Sequence, residues 1–116
     1  MEIWINPACS KCQAATAALD DAGVEYEVRR YLDDPPTATE LEAVLTRLNL
    51  EPWDIVRDNE PAAQPLQSVP RDQANRSTWI DAMVTNPILI QRPIITADDN
   101  TTAIARDPQT LNRFLP

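Results

Sequence analysis

The apolar positions of this chain change their spacing several times, and each change marks an element. Glu2-Ile3-Trp4-Ile5 is a short apolar run with β-branched and aromatic residues, which predicts a buried strand. Cys12, Ala15, Leu19 and Ala22 then recur at helical spacing, so a helix is expected from about Ser10 to Ala22, stopped by Gly23, the only glycine. Glu25 to Leu32 alternates in part and predicts a second strand, ended by Asp33-Asp34-Pro35-Pro36. Strand, helix and strand at this spacing form a βαβ unit, whose two strands run parallel with a right-handed connection. Leu41, Val44, Leu45 and Leu48 keep i, i+3, i+4, i+7 spacing behind Thr37 or Thr39, either of which can cap a second helix.

Glu51 to Arg57 reads as a short helix opened by Pro52, and Asp58 to Asn75, with Pro61, Pro65 and Pro70, as a surface loop with little regular structure. Ser77 or Thr78 is the expected cap of a helix over Trp79–Val84 that stops at Asn86-Pro87. Ile94–Thr96 and Thr102–Ala105 are short strands close enough in sequence to pair as an antiparallel hairpin. Asp107 or Pro108 then opens a last helix with Leu111, Phe114 and Leu115 facing inward. The order is βαβ, a helical stretch, then ββα, with no internal repeat and no linker. Residues 1–116 are therefore expected to form a single α/β domain, a four-stranded mixed sheet with helices on both faces and a helical insertion over about 37–86.

Charge and composition narrow the function. A net charge of −8 argues against binding nucleic acid through its phosphates. No apolar run approaches the roughly 20 residues of a membrane span, and the chain starts straight into a strand without a basic leader, so a cytoplasmic protein is expected. The absence of histidine excludes Cys-His dyads and Ser-His-Asp triads. What remains is cysteine, carboxylate, backbone and arginine, which makes up all but Lys11 of the ten basic residues.

Cys9 and Cys12 are spaced C-x-x-C where a strand turns into a helix. The unpaired N–H groups and dipole of a helix start favour a thiolate, and the thiolate is the nucleophile. Cys9, at the turn, is the exposed candidate, and Cys12, one turn on, can close a disulfide with it. Half of a zinc site is a poor alternative, because no third or fourth ligand of sulfur or imidazole exists. A structural disulfide would close too short a loop to stabilise much, which leaves inert cysteines as the remaining alternative. Three arginines stand out by their neighbours: Arg57 at the end of the short helix, Arg92 directly before Pro93, and Arg106 before Asp107-Pro108. Arginine suits oxyanions because its planar group offers paired donors.

Asn6-Pro7-Ala8-Cys9, the run Asn86-Pro87-Ile88-Leu89-Ile90-Gln91-Arg92-Pro93-Ile94-Ile95 and the late arginine resemble the arsenate reductase family of the glutaredoxin-coupled, thioredoxin-fold type. The likeness runs from Ile3 to Leu115. It implies a thioredoxin-like fold in which Cys9 attacks arsenate while Arg57, Arg92 and Arg106 bind the oxyanion and stabilise the thiolate. It also implies a cis bond before Pro93 and no metal or organic cofactor. The reductant would be an external thiol donor, such as glutaredoxin, thioredoxin or a low-molecular-weight thiol. Two departures matter. Ile5 stands where glutathione-dependent members often carry histidine, and those members lack a cysteine at the place of Cys12. The C-x-x-C pair, with Arg113-Phe114-Leu115-Pro116, instead resembles the Spx family of redox regulators, which share the fold and bind RNA polymerase. The sequence thus points to arsenate reduction, with a Cys9–Cys12 disulfide or an external thiol resolving Cys9. An Spx-like regulator, a general thiol–disulfide oxidoreductase and a family member that has kept the fold but lost the activity are the alternatives.

Overall fold

In the computed structural model, which describes residues 1–116, strand β1 (Glu2–Ile5) opens the chain. Alternation sends Ile3 and Ile5 to one face of the sheet and Trp4 to the other, and all three are buried. Helix α1 (Ser10–Asp21) follows. It ends in a Schellman motif, the Val24 N–H reaching the Leu19 carbonyl and the Gly23 N–H that of Asp20. Gly23 has φ +70°, a left-handed conformation that explains why the one glycine stands there. Strand β2 (Glu27–Arg30) runs parallel to β1, with Val28 opposite Ile3. It is shorter than the expected 25–32, because the chain turns at Arg30, whose carbonyl takes the N–H groups of both Asp33 and Asp34.

Strand β3 (Ile94–Thr96) is antiparallel to β1, and β4 (Thr102–Ile104) is antiparallel to β3. The resulting order, β2-β1-β3-β4, is a mixed sheet in which β1 and β3 are interior. Both lead to the residues of interest: β1 ends just before the Cys9 turn, and Arg92-Pro93 leads into β3. Helix α4 (Pro108–Asn112) is capped by Asp107, whose carboxylate accepts the Thr110 N–H at 2.8 Å. Cys12, Ala15 and Leu19 of α1 pack with Ile3, Ile5, Ile95 and Phe114 in one core, which Leu111 and Leu115 flank. Trp4 and Ile94, on the opposite face, are buried as well.

The chain divides into two compact units, Met1–Asp34 with Arg92–Pro116, and Pro35–Gln91. In the second, α2 (Ala38–Leu48) starts with a reciprocal capping box between Thr37 and Glu40, and buries Leu41, Val44 and Leu45 against α3 (Arg76–Thr85). Three expectations fail here. Glu51–Arg57 is not one helix but a single 3₁₀ turn, Pro52–Asp54, followed by a bend at Ile55 and a β-bridge at Val56. Val56 bridges Ile90, with the Arg57 N–H on the Leu89 carbonyl at 2.7 Å and the Gln91 N–H on that of Ile55 at 3.0 Å. β-branched Val56 prefers this bridge to another helical turn.

The segment expected to be an irregular loop forms 3₁₀ helices at Pro61–Ser68 and Gln73–Asn75, and the first buries Ala63 and Leu66. Its prolines fix φ near helical values while removing donors, which suits short i→i+3 turns. The α3 cap also lies earlier than Ser77 or Thr78. Asp72 accepts the Asn75 N–H at 3.0 Å, which starts the 3₁₀ turn that runs on into α3. No helix is long and apolar enough to cross a membrane.

Candidate active site

Asn6 builds the turn between β1 and α1. Its side-chain oxygen accepts the Ala8 N–H at 3.0 Å, and its carbonyl accepts the Cys9 N–H at 2.9 Å. The Pro7 carbonyl is tied to the Gln13 side-chain amide at 2.9 Å. Cys9 therefore becomes the N-cap of α1, in an extended conformation and with no side-chain capping bond. Cys12 lies one turn on, 1 % exposed, and its Sγ accepts the Asn6 N–H at 3.5 Å. Cys9 is half-buried, and both thiols are free.

The same turn ionises the two thiols differently. Burial works to raise the Cys9 pKa, but the Cys12 N–H, the Arg92 guanidinium, the Cys12 thiol and the Lys11 N–H outweigh it and bring the value down to about 7. For Cys12, burial dominates and pushes the pKa up to about 11; the Asn6 N–H opposes it, and the neighbouring Cys9 adds to it. At neutral pH Cys9 is therefore about half thiolate, while Cys12 stays a thiol.

Arg92 faces Cys9 and Tyr31. Burial disfavours its charge, yet those two neighbours hold its pKa above the ordinary arginine value. Its Nε and Nη1 are covered from solvent and have no hydrogen-bond partner. Leaving buried charged donors unanswered costs more than a typical hydrogen bond returns, so such donors mark a place prepared for an acceptor. The Arg92–Pro93 peptide bond is cis. Arg106 donates from Nη1 to the Arg92 backbone carbonyl at 2.6 Å.

In the first unit Cys9, Cys12 and Arg92 face one another, Pro93 follows Arg92 through the cis bond, and Arg106 is tied to the Arg92 backbone carbonyl. Arg57 belongs to the second, where its Nη1 pairs with Glu60 at 2.8 Å. Sequence reasoning gives Tyr31 no role. It is nevertheless fully buried beside Arg92, and its burial pushes the phenol up to about 12. Nothing in the sequence marked it: Tyr31 stands near the end of an alternating strand, before Leu32 and Asp33, with no sign of its partner.

Residues 4–114 match the model of the ArsC family. The chain belongs to the ArsC family. Among ArsC-like proteins, it is 32 % identical to an arsenate reductase of Rhizobium meliloti, over 98 % of this chain and 80 % of that one. It is 52 % identical to an uncharacterized protein in the glnII region of Streptomyces viridochromogenes, over 99 % of this chain and 98 % of the relative. The arsenate reductase structure from Vibrio cholerae superposes with a TM-score of 0.86 at 28 % identity, covering 99 % of this chain and 98 % of that one. The mixed sheet with its helices is accordingly the thioredoxin-like fold of the ArsC family.

Proposed function

We propose that this chain is a cytoplasmic, thiol-dependent arsenate reductase in which Cys9 is the nucleophile and Arg92 the principal group on the oxyanion. The observation that supports this best is the pair of covered, unpartnered donors, Arg92 Nε and Nη1, beside a thiol lowered to about 7. A tetrahedral dianion supplies the missing acceptors and places its central atom before the Cys9 sulfur. The start of α1 adds positive potential, which an acidic protein needs locally to attract an anion.

In the first step, the Cys9 thiolate forms a bond to pentavalent arsenic, and an arsenate hydroxyl leaves as water after taking a proton. In the second, a thiol attacks the Cys9 sulfur. An S–S bond forms, the As–S bond breaks with its electron pair left on arsenic, and trivalent arsenite departs. Cys12 is the resolving thiol in this reading. The negative charge on Cys9 helps to keep Cys12 protonated, and the As–S bond removes that charge just when Cys12 must act. A glutaredoxin, thioredoxin or low-molecular-weight thiol then reduces the Cys9–Cys12 disulfide.

The split thiol pair is also what a general thiol–disulfide oxidoreductase requires, but that activity has no use for the open donors of Arg92. A coupled arsenate-reduction assay with several thiol donors separates the two readings. Arsenite production is expected, together with protection of Cys9 from alkylation by phosphate or sulfate. Disulfide exchange without arsenite from any donor, and without oxyanion protection, would sink arsenate reduction.

A further inference from the structure

One turn fixes both cysteines. The Asn6 carbonyl holds the Cys9 N–H at 2.9 Å, and the N–H of the same Asn6 rests on Cys12 Sγ at 3.5 Å. The two residues stand at i and i+3 across the helix start, Cys9 as the extended N-cap, and their side chains interact directly. Neither sulfur is committed to a disulfide. No group of three or more His, Cys, Asp or Glu residues gathers to hold a metal ion, so a four-coordinate metal is a poor occupant. A thiophilic centre that takes two sulfurs and keeps one oxygen or carbon fits the donor set better, since thiolates select soft partners.

We propose that Cys9 and Cys12 together form a two-sulfur site for trivalent arsenic, in which arsenite binds as a cyclic dithioarsenite. The step is substitution, not redox. Half-buried Cys9 forms the first S–As bond, and buried Cys12 closes the ring from inside. Counted from the two thiols, two S–H and two As–OH bonds become two S–As bonds and two waters; arsenic stays trivalent and keeps its third hydroxyl. While arsenic bridges the sulfurs, no Cys9–Cys12 disulfide can form, so arsenite acts as a brake on the thiol pair. The inference goes beyond arsenate reduction, because it needs the two thiols and no turnover.

The test titrates reduced wild-type protein with arsenite and with phenylarsine oxide, counting free thiols and weighing the adduct. One arsenic per chain is expected, with both thiols lost together. Bound phenylarsine oxide should resist excess glutathione, a monothiol, and yield to dithiothreitol, a dithiol. Cys12→Ser and Cys12→Ala should each weaken binding on the order of tenfold or more, because the second sulfur acts at high effective concentration. Loss of one thiol per arsenic, ready release by glutathione, or equal binding by wild type and both variants would overturn the proposal. Binding is read without turnover, so a failure of arsenate reduction would not produce any of those outcomes. Conversely, a failure here would leave reduction through an external thiol intact.

Discussion

The two units treat their arginines differently. In the second, Arg76 reaches Glu51 at 3.0 Å and also bonds Glu42, while Arg57 pairs with Glu60 at 2.8 Å. Arg71 lies over the Trp79 ring, 5.7 Å from its centroid. Each of these guanidinium groups is answered by neighbours in its own unit. In the first unit, Arg29 is also settled, donating to the Asp34 carbonyl at 3.0 Å and lying over Trp4. Arg92 is the exception among the covered arginines: it faces Cys9 and Tyr31, but its Nε and Nη1 are buried without a hydrogen-bond partner. A guanidinium completed by its neighbours acts as structure, whereas one left with open, desolvated donors retains a demand for an anion. That contrast, more than the number of arginines, locates the candidate site.

The severest test of the contrast is Cys9→Ser, because an oxyanion bound beside Arg92 has no chemistry without the thiolate. Arsenate reduction should fall to background while far-UV circular dichroism stays unchanged, since Cys9 makes no capping bond that the fold needs. Residual turnover at the wild-type rate would remove Cys9 from the mechanism.

Arg92→Lys comes next. It keeps the charge but loses the planar donor set, so transition-state binding should weaken by about 1.5–3 kcal/mol, roughly ten- to a hundredfold in kcat/KM for arsenate. The same swap at Arg76 should leave kcat/KM unchanged. If both swaps behave alike, the distinction between answered and unanswered arginines carries no function.

The parts of the fold that could be read from the sequence are those whose signals are local. Ile3-Trp4-Ile5 and Ile94-Ile95 declare strands by their own chemistry, and Leu41, Val44 and Leu45 declare a helix behind Thr37 or Thr39, of which the structure uses Thr37. The failures have long-range causes. Pro52 suggested a helix through Arg57, but Val56 is held extended by Ile90, a partner far along the chain. Pro61 and Pro65 read as loop punctuation although they shape a 3₁₀ helix that buries Leu66. The site divides in the same way. Cys9 and Cys12 were visible from spacing and position, and Arg92 from its resemblance-bearing motif. Tyr31 was not, since a tyrosine ending a strand carries no mark that Arg92 will lie against it.

A smaller effect is expected where charges are already paired. Arg76→Ala breaks bonds to Glu42 and Glu51 on a side chain that is 23 % exposed. Stability should fall by about 1 kcal/mol, roughly a fivefold change in the ratio of folded to unfolded protein. Denaturant midpoints measure this directly. Oxyanion protection of Cys9 in the same variant should equal that of wild type.

The smallest effect is the pH response of Cys9, and it tests the cause of the contrast. With its pKa at about 7, the thiol is half ionised at pH 7, so its alkylation rate should only about double between pH 7 and pH 9. A thiol at the ordinary 9.0 would accelerate on the order of fiftyfold over that interval. Cys12, pushed up to about 11, stays silent below pH 9, so the wild type reports Cys9 alone. Stability should follow with opposite signs for the two thiols. The lowered Cys9 pKa stabilises the fold fully above about 9, and that contribution is lost as pH falls through 7. The raised Cys12 pKa stabilises the fold below about 9, and that contribution is lost as pH rises through 11. The pair should therefore favour the fold most near pH 9. Unfolding midpoints of wild type against Cys9→Ser and Cys12→Ser across pH 6–11 would show the maximum. An alkylation curve that climbs steeply through pH 9 would mean that Arg92 and the helix start do not act on Cys9, and would place Arg92 among the structural arginines.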